Sequence, residues 1–140
     1  MSRLPLLVAA AWWTSLSMLG FLVVPLLFHY LPTPALAGAM AARLFTAQTW
    51  VSVVCGLLLL LLFRSKATQK AVADAQGAML FVVAGMVLAL LSEFAVAPHI
   101  IARQDLRFWH MLGTVLYVLQ WLCAGVSIRL LSQREAAHQG

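Results

Sequence analysis

Charge is what this sequence is short of. Lys and Arg number nine and Asp and Glu four in 140 residues, so charged side chains make up 9%, against about 25% in an ordinary soluble domain. So few charges cannot cover the surface of a water-soluble 15.3 kDa protein. They are also too few for a disordered chain, which depends on high charge and low hydrophobicity. Cysteine is scarce as well. Cys55 and Cys123 both lie in apolar runs; they build no secreted disulfide framework and lack the C-x-x-C spacing of a redox or metal motif. They read as small buried hydrophobes. The net charge of +5 comes without a basic stripe interleaved with aromatics, so nucleic acid is not an expected partner. No nucleophile–base motif, Walker loop or dinucleotide fingerprint is present. What the chain does have is apolar residues, 64% of the total, and they make it an integral membrane protein.

A transmembrane helix needs about 20 mostly apolar residues. Four stretches qualify, and the spacing predicts helices over about 4–30, 34–63, 75–102 and 108–131 in a single transmembrane domain, 1–140. Runs this long do not fit the roughly 10-residue alternating strands of a membrane barrel. The fold class is therefore all-α, an integral membrane four-helix bundle. The first run is too long and too rich in bulky Trp12 and Trp13 for a signal-peptide core. Leu31-Pro32-Thr33-Pro34 breaks the chain, because proline supplies no amide donor and turns its predecessor out of the helical region. Thr33 and Pro34 then suit an N-cap and first-turn pair for the second helix. The polar stretch from Arg64 to Asp74 is the expected second loop, and Gln104 to Arg107 the third.

With four spans both termini share one side. That side carries six basic residues (Arg3, Arg64, Lys66, Lys70, Arg129, Arg134) and the other three (Arg43, Arg103, Arg107). The positive-inside rule then places both termini in the cytoplasm of an inner-membrane protein. An internal repeat is also visible: Phe21-Leu22-Val23-Val24-Pro25 and Phe94-Ala95-Val96-Ala97-Pro98 share F-x-V-x-P late in the first and third helices, as two parallel helical hairpins would. If Pro25 kinks its helix instead of ending it, Pro98 does the same, and Glu93 lies deeper.

Small and polar residues mark the faces that meet other helices in a membrane. His110, Gly113, Tyr117, Gln120, Ala124 and Ser127 lie on one face of the fourth helix. Gly85, Ala89, Glu93 and Ala97 do so on the third, and Gln48, Ser52 and Gly56 on the second. The inward stripe is therefore expected to include Gly113, Tyr117, Gln120, Gln48 and Ser52. Glu93 is the one acidic residue inside a span, and such a residue is a functional-site hypothesis by default. At its level come Arg43, His110, His99 and Arg103, so these five form an expected polar cluster at the non-cytoplasmic end, with Arg43 or His110 as the carboxylate's partner. The same cluster serves two readings: an ion pair that locks the bundle, or a site that binds or passes a small solute or ion.

His29, His99 and His110 are candidate metal ligands by residue type, with Met40 and Met111 near in sequence. No pair has the spacing of a helical ligand pair, so no cofactor or metal is expected, with haem or copper as the alternative in a redox or metal-handling protein. A structural subunit of a larger complex is a further alternative. The five tryptophans read as packing or interface anchors. The expected partners are the lipid bilayer and either another membrane protein or a second copy of this chain.

Trp12-Trp13-x-Ser15, Gly20-Phe21 and Pro25-Leu26-Leu27-Phe28 resemble the first helix of the transmembrane-protein-205-like family. Leu31-Pro32, Ala37-Gly38, Ala41-x-x-Leu44-Phe45 and the opening Phe108-Trp109-His110 of the last helix are similar to it as well. The resemblance implies a four-helix membrane fold and no established chemistry. Two other four-helix classes are less similar. Copper-resistance inner-membrane domains share a Trp, Gly and Pro pattern in one helix. Small haem-linked protoporphyrinogen oxidases share the length but would need in-helix His pairs that are missing here.

Overall fold

The structure is a computed structural model that describes residues 3–64 and 69–139. Four long helices account for nearly all of them. α1 is Leu4–Tyr30 and α2 is Pro34–Arg64. α3 runs over Gln69–Leu91 and on through Ser92–Val96 and Ala97–Ile101, and α4 is Leu106–Gln139. All four have stretches long and apolar enough to cross a membrane. Each helix packs antiparallel to its neighbours in chain order, and α4 closes back on α1.

The breaks are where the prolines put them. Thr33 Oγ1 accepts the Leu36 amide at 3.2 Å, the N-cap bond expected at the start of α2. The polar ends differ from expectation in length. α4 continues to Gln139, past 131, and α3 begins at Gln69, before 75. Hydropathy marks where a helix leaves the lipid, not where it stops, and Ser132–Ala137 and Gln69–Asp74 contain neither Gly nor Pro. The expected second loop is therefore helical from Gln69 onward; Ser65–Thr68 lie outside the described residues.

Pro25 and Pro98 do not end their helices. Each is preceded by a wider π turn, Leu19–Val23 before Pro25 and Ser92–Val96 before Pro98, in which Val24 N–H donates to Leu19 O and Ala97 N–H to Ser92 O. A proline ring clashes with the carbonyl four residues back and offers it no amide. Inserting one residue into the turn relieves that conflict. The two π turns stand in the same register to their prolines, so the F-x-V-x-P repeat is a repeat of backbone form.

The repeat extends to packing. At the spacing that separates Pro25 from Pro98, the buried Pro5, Ala9, Trp12 and Leu16 of α1 correspond to the buried Ala78, Val82, Gly85 and Ala89 of α3. At the spacing that separates Gln48 from Gln120, the buried Gln48, Ser52 and Leu59 of α2 correspond to Gln120, Ala124 and Leu131 of α4. The two hairpins are thus related by a half-turn about the long axis of the bundle. Large and small residues complement each other across it: the Trp12 indole, fully buried, lies over Gly85.

The α3–α4 connection is unusually tight. Gln104 N–H donates to His99 O and Arg103 N–H to Ile100 O, both at 3.1 Å, which together make a Schellman ending of α3. The residue that must take the left-handed conformation there is Arg103, at φ 53°. A side chain in that region costs about 1 kcal/mol relative to glycine. Arg103→Gly is therefore expected to stabilise the protein by about 1 kcal/mol, read as a higher thermal midpoint in detergent. A midpoint unchanged or lowered would mean that the guanidinium makes up for the backbone cost.

Candidate functional site

The charge-free core of α2, Leu44–Phe63, is bounded by Arg43 and Arg64. At about 1.5 Å per residue it spans about 30 Å, the thickness of bilayer hydrocarbon. Thr46 sits within the first turn of that core, at the end of the bundle opposite the termini. Its hydroxyl lies 3.0 Å from Glu93 Oε1 and 3.1 Å from Oε2. One hydroxyl proton is thus shared between both carboxylate oxygens. Glu93 is half-buried, on the second residue of the α3 π turn.

The expected partners are elsewhere. Arg43, Arg103 and His110 are exposed. Arg43 is three residues, most of a turn, before Thr46. The Thr46 hydroxyl takes the place expected for Arg43 or His110 at the carboxylate. His99 is tied to its own helix, with Nδ1 2.7 Å from Ala95 O, and its ring stacks on Trp109 at a centroid distance of 3.9 Å. The five residues share one end of the bundle without converging on one point. Among the described residues, no group of three or more His, Cys, Asp or Glu is placed to hold a metal ion.

Below this end lies a polar layer built from the inward stripe. Gln120 Nε2 donates to Ser52 Oγ at 2.6 Å, a bond between the diagonal helices α4 and α2. Gln48 Nε2 donates to Ser15 Oγ at 2.9 Å, and Trp121 Nε1 to Ser17 Oγ at 2.8 Å. Ser52 is fully buried and Gln120 3% exposed. In lipid no water compensates a polar group, so these groups satisfy one another and fix the register of the helices. Gly113 is half-buried against Val96.

Tyr117 has the most specific position in the stripe. Its hydroxyl donates to Leu16 O at 2.7 Å. The same oxygen lies beside Gly20. The tyrosine hydroxyl thus reaches α1 just before the π turn Leu19–Val23. A Cβ on Gly20 would come within 2.6 Å of the Tyr117 ring, so glycine is what lets the ring approach. The Tyr117 ring meets Phe45 edge to face at 5.3 Å.

Sequence reasoning missed Thr46, Phe45 and Ser15. A lone threonine or serine in an apolar run carries no signal of its own. Thr46 becomes visible only once the antiparallel pairing of α2 and α3 sets its level against Glu93. Compared with known proteins, residues 7–109 match the family described as domain of unknown function (DUF4149). No curated protein and no solved structure is similar to the chain. The match takes in α1, α2, α3 and the opening of α4, including both π turns, Thr46 and Glu93; the chain belongs to the DUF4149 family of membrane-type domains of unknown function.

Proposed function

We propose that this is a small inner-membrane protein, with both termini in the cytoplasm, whose site at the non-cytoplasmic end binds or passes a small cation or a proton through Glu93 and Thr46. One observation carries the reading: a carboxylate inside an apolar span, held by a single hydroxyl and with no basic side chain in ion-pair reach among the described residues. A structural ion pair would need such a partner. A carboxylate without one has acceptor capacity left for an incoming positive charge. The six-to-three division of basic residues supports the orientation. The likeness to the transmembrane-protein-205-like family belongs to the same reading and adds no chemistry.

The test is thermal unfolding of the detergent-solubilised protein against pH, and against sodium at constant ionic strength. The wild-type midpoint is expected to move with one or both, because a ligand bound to the folded state stabilises it by mass action, about 2.7 kcal/mol at a hundredfold excess over Kd. Glu93→Gln keeps the shape and the Thr46 contact but removes the charge, and its midpoint is expected to be flat in the same range. Equal responses of wild type and Glu93→Gln, or a wild-type midpoint that moves with neither variable, would refute the proposal.

A further inference from the structure

The interior of the bundle changes chemistry along its length. Beyond Thr46 on α2 the buried groups are first polar: Gln48, Thr49 and Ser52, with Gln120 of α4 bonded to Ser52. Toward the termini the interior becomes one contiguous apolar cluster, in which Trp12 and Leu16 of α1, Leu59 and Phe63 of α2, Val82 of α3 and Leu131 of α4 pack together. Trp12, Leu16, Leu59 and Val82 are fully buried, so α1, α2 and α3 each fill the section with side chain. Phe63 lies eleven residues beyond Ser52, about 16 Å along the helix and half the hydrocarbon thickness. Two polar groups fall within this stretch. Ser127, between Ala124 and Leu131, donates to Cys123 O of its own helix at 2.9 Å. Trp12 Nε1 has no partner among the described residues, and an N–H is a donor, which repels a cation instead of solvating it.

We propose that the Glu93 site is a dead end: it takes its cation or proton from the end of the bundle opposite the termini, returns it to that end, and does not carry it across the membrane. The inference rests on the reading of Glu93 as a binding carboxylate and decides between binding and passage. Glu93 is half-buried, and its partner Thr46 lies three residues from the exposed Arg43, so the carboxylate sits close to the boundary at that end. In the other direction an ion would leave the oxygens of Ser52 and Gln120 for about 16 Å of packed hydrocarbon side chains, which offer it no acceptor. A hydrophobic constriction excludes water together with ions. The repeat leads to the same result. In inverted repeats the symmetry axis lies in the membrane plane, and exchanging conformations between the halves moves an opening from one face to the other. Here the half-turn axis runs along the bundle, so the same exchange leaves the opening at the same end. Occupancy of Glu93 therefore follows ion activity on one side of the membrane, as in a sensor and unlike a channel or carrier.

The test uses the full chain in sealed vesicles of phosphatidylcholine and phosphatidylglycerol, sorted by protease access to a C-terminal tag so that the termini face one known side. The first arm is flux. Under an imposed proton or sodium gradient, a dye in the lumen is expected to respond no faster than in protein-free vesicles. Any flux above that rate overturns the proposal, whether or not Glu93→Gln abolishes it. The second arm is sidedness. The infrared carboxyl band of Glu93, identified by its loss in Glu93→Gln, is expected to shift when pH or sodium changes on the side opposite the termini. It is expected to stay unchanged when the same step is made on the side of the termini. A band that follows the side of the termini overturns the proposal and leaves the binding carboxylate standing. A band that follows neither side removes the binding carboxylate itself, and the dead-end site with it.

Discussion

Truncation of Trp12 to alanine is expected to destabilise the protein by about 3–5 kcal/mol, the range for large aromatic deletions in a packed interior. The indole is fully buried, and its six-membered ring lies over Gly85 with the Cys123 side chain beside it. It therefore joins α1 to α3 and α4 at once. Its Nε1 has no hydrogen-bond partner among the described residues, so the contribution is packing, offset in part by an unsatisfied donor that costs about 1–3 kcal/mol. Trp12→Phe keeps much of the packing and removes that donor, and is expected to cost less than half as much as Trp12→Ala. Gly85→Ala approaches the same contact from the other side. Its new methyl carbon would lie 2.6 Å from Trp12 Cη2 and 2.9 Å from Cζ2, an overpacking expected to cost about 1–3 kcal/mol. The two sites touch, so their effects should not add. Reversible unfolding in detergent of the double variant Trp12→Phe with Gly85→Ala should recover part of the Gly85→Ala loss. A Gly85→Ala cost that is identical in both backgrounds would show that the indole is not what fills the space over Gly85.

Much of this arrangement was legible in the sequence, and the limit is physical. Apolar runs of 20 residues between Arg43 and Arg64, or 18 between Ala75 and Ser92, leave helices as the one solution in lipid. Steps of three and four identify the inward faces: Gln48, Ser52 and Gln120 are buried where the spacing places them. The F-x-V-x-P repeat announced that the two hairpins correspond. What the spacing could not give is the π turn, because one added residue shifts the face after it. In α3 Val96 is buried, while Glu93 and Ala97 of the expected stripe are half-buried. Nor could it give the Glu93 partner. Arg43 and Thr46 are three residues apart on one helix, and Coulomb attraction in the abstract favours the arginine. At the edge of the hydrocarbon a guanidinium gains more by turning out to water and headgroups than by entering the bundle, while a threonine hydroxyl is inexpensive to bury once bonded. The carboxylate therefore meets a neutral donor. The orphaned Trp12 donor has no sequence signal at all, since it arises from how tightly the indole is enclosed.

Tyr117→Phe separates the two roles of the tyrosine. The ring stays, so contact with Phe45 and with the face of Gly20 is kept, and only the hydroxyl bond to Leu16 O is lost. Two outcomes are open to the helix. If the π turn persists because Pro25 still forbids the regular bond to Phe21 O, the lost hydrogen bond costs about 0.5–1.5 kcal/mol. If the turn instead reverts to α-helix, the segment beyond it rotates by about 100° relative to Leu4–Met18. That rotation would turn Phe21 away from Trp121, which it now meets edge to face at 5.5 Å. The proline favours the first outcome: a loss of about 0.5–1.5 kcal/mol with the aromatic contacts intact. Tryptophan emission and near-ultraviolet circular dichroism distinguish the cases, since only reversion disturbs Trp121. A variant as stable as wild type, with unchanged aromatic spectra, would mean that the hydroxyl does not support the turn and that the proline alone sets its form.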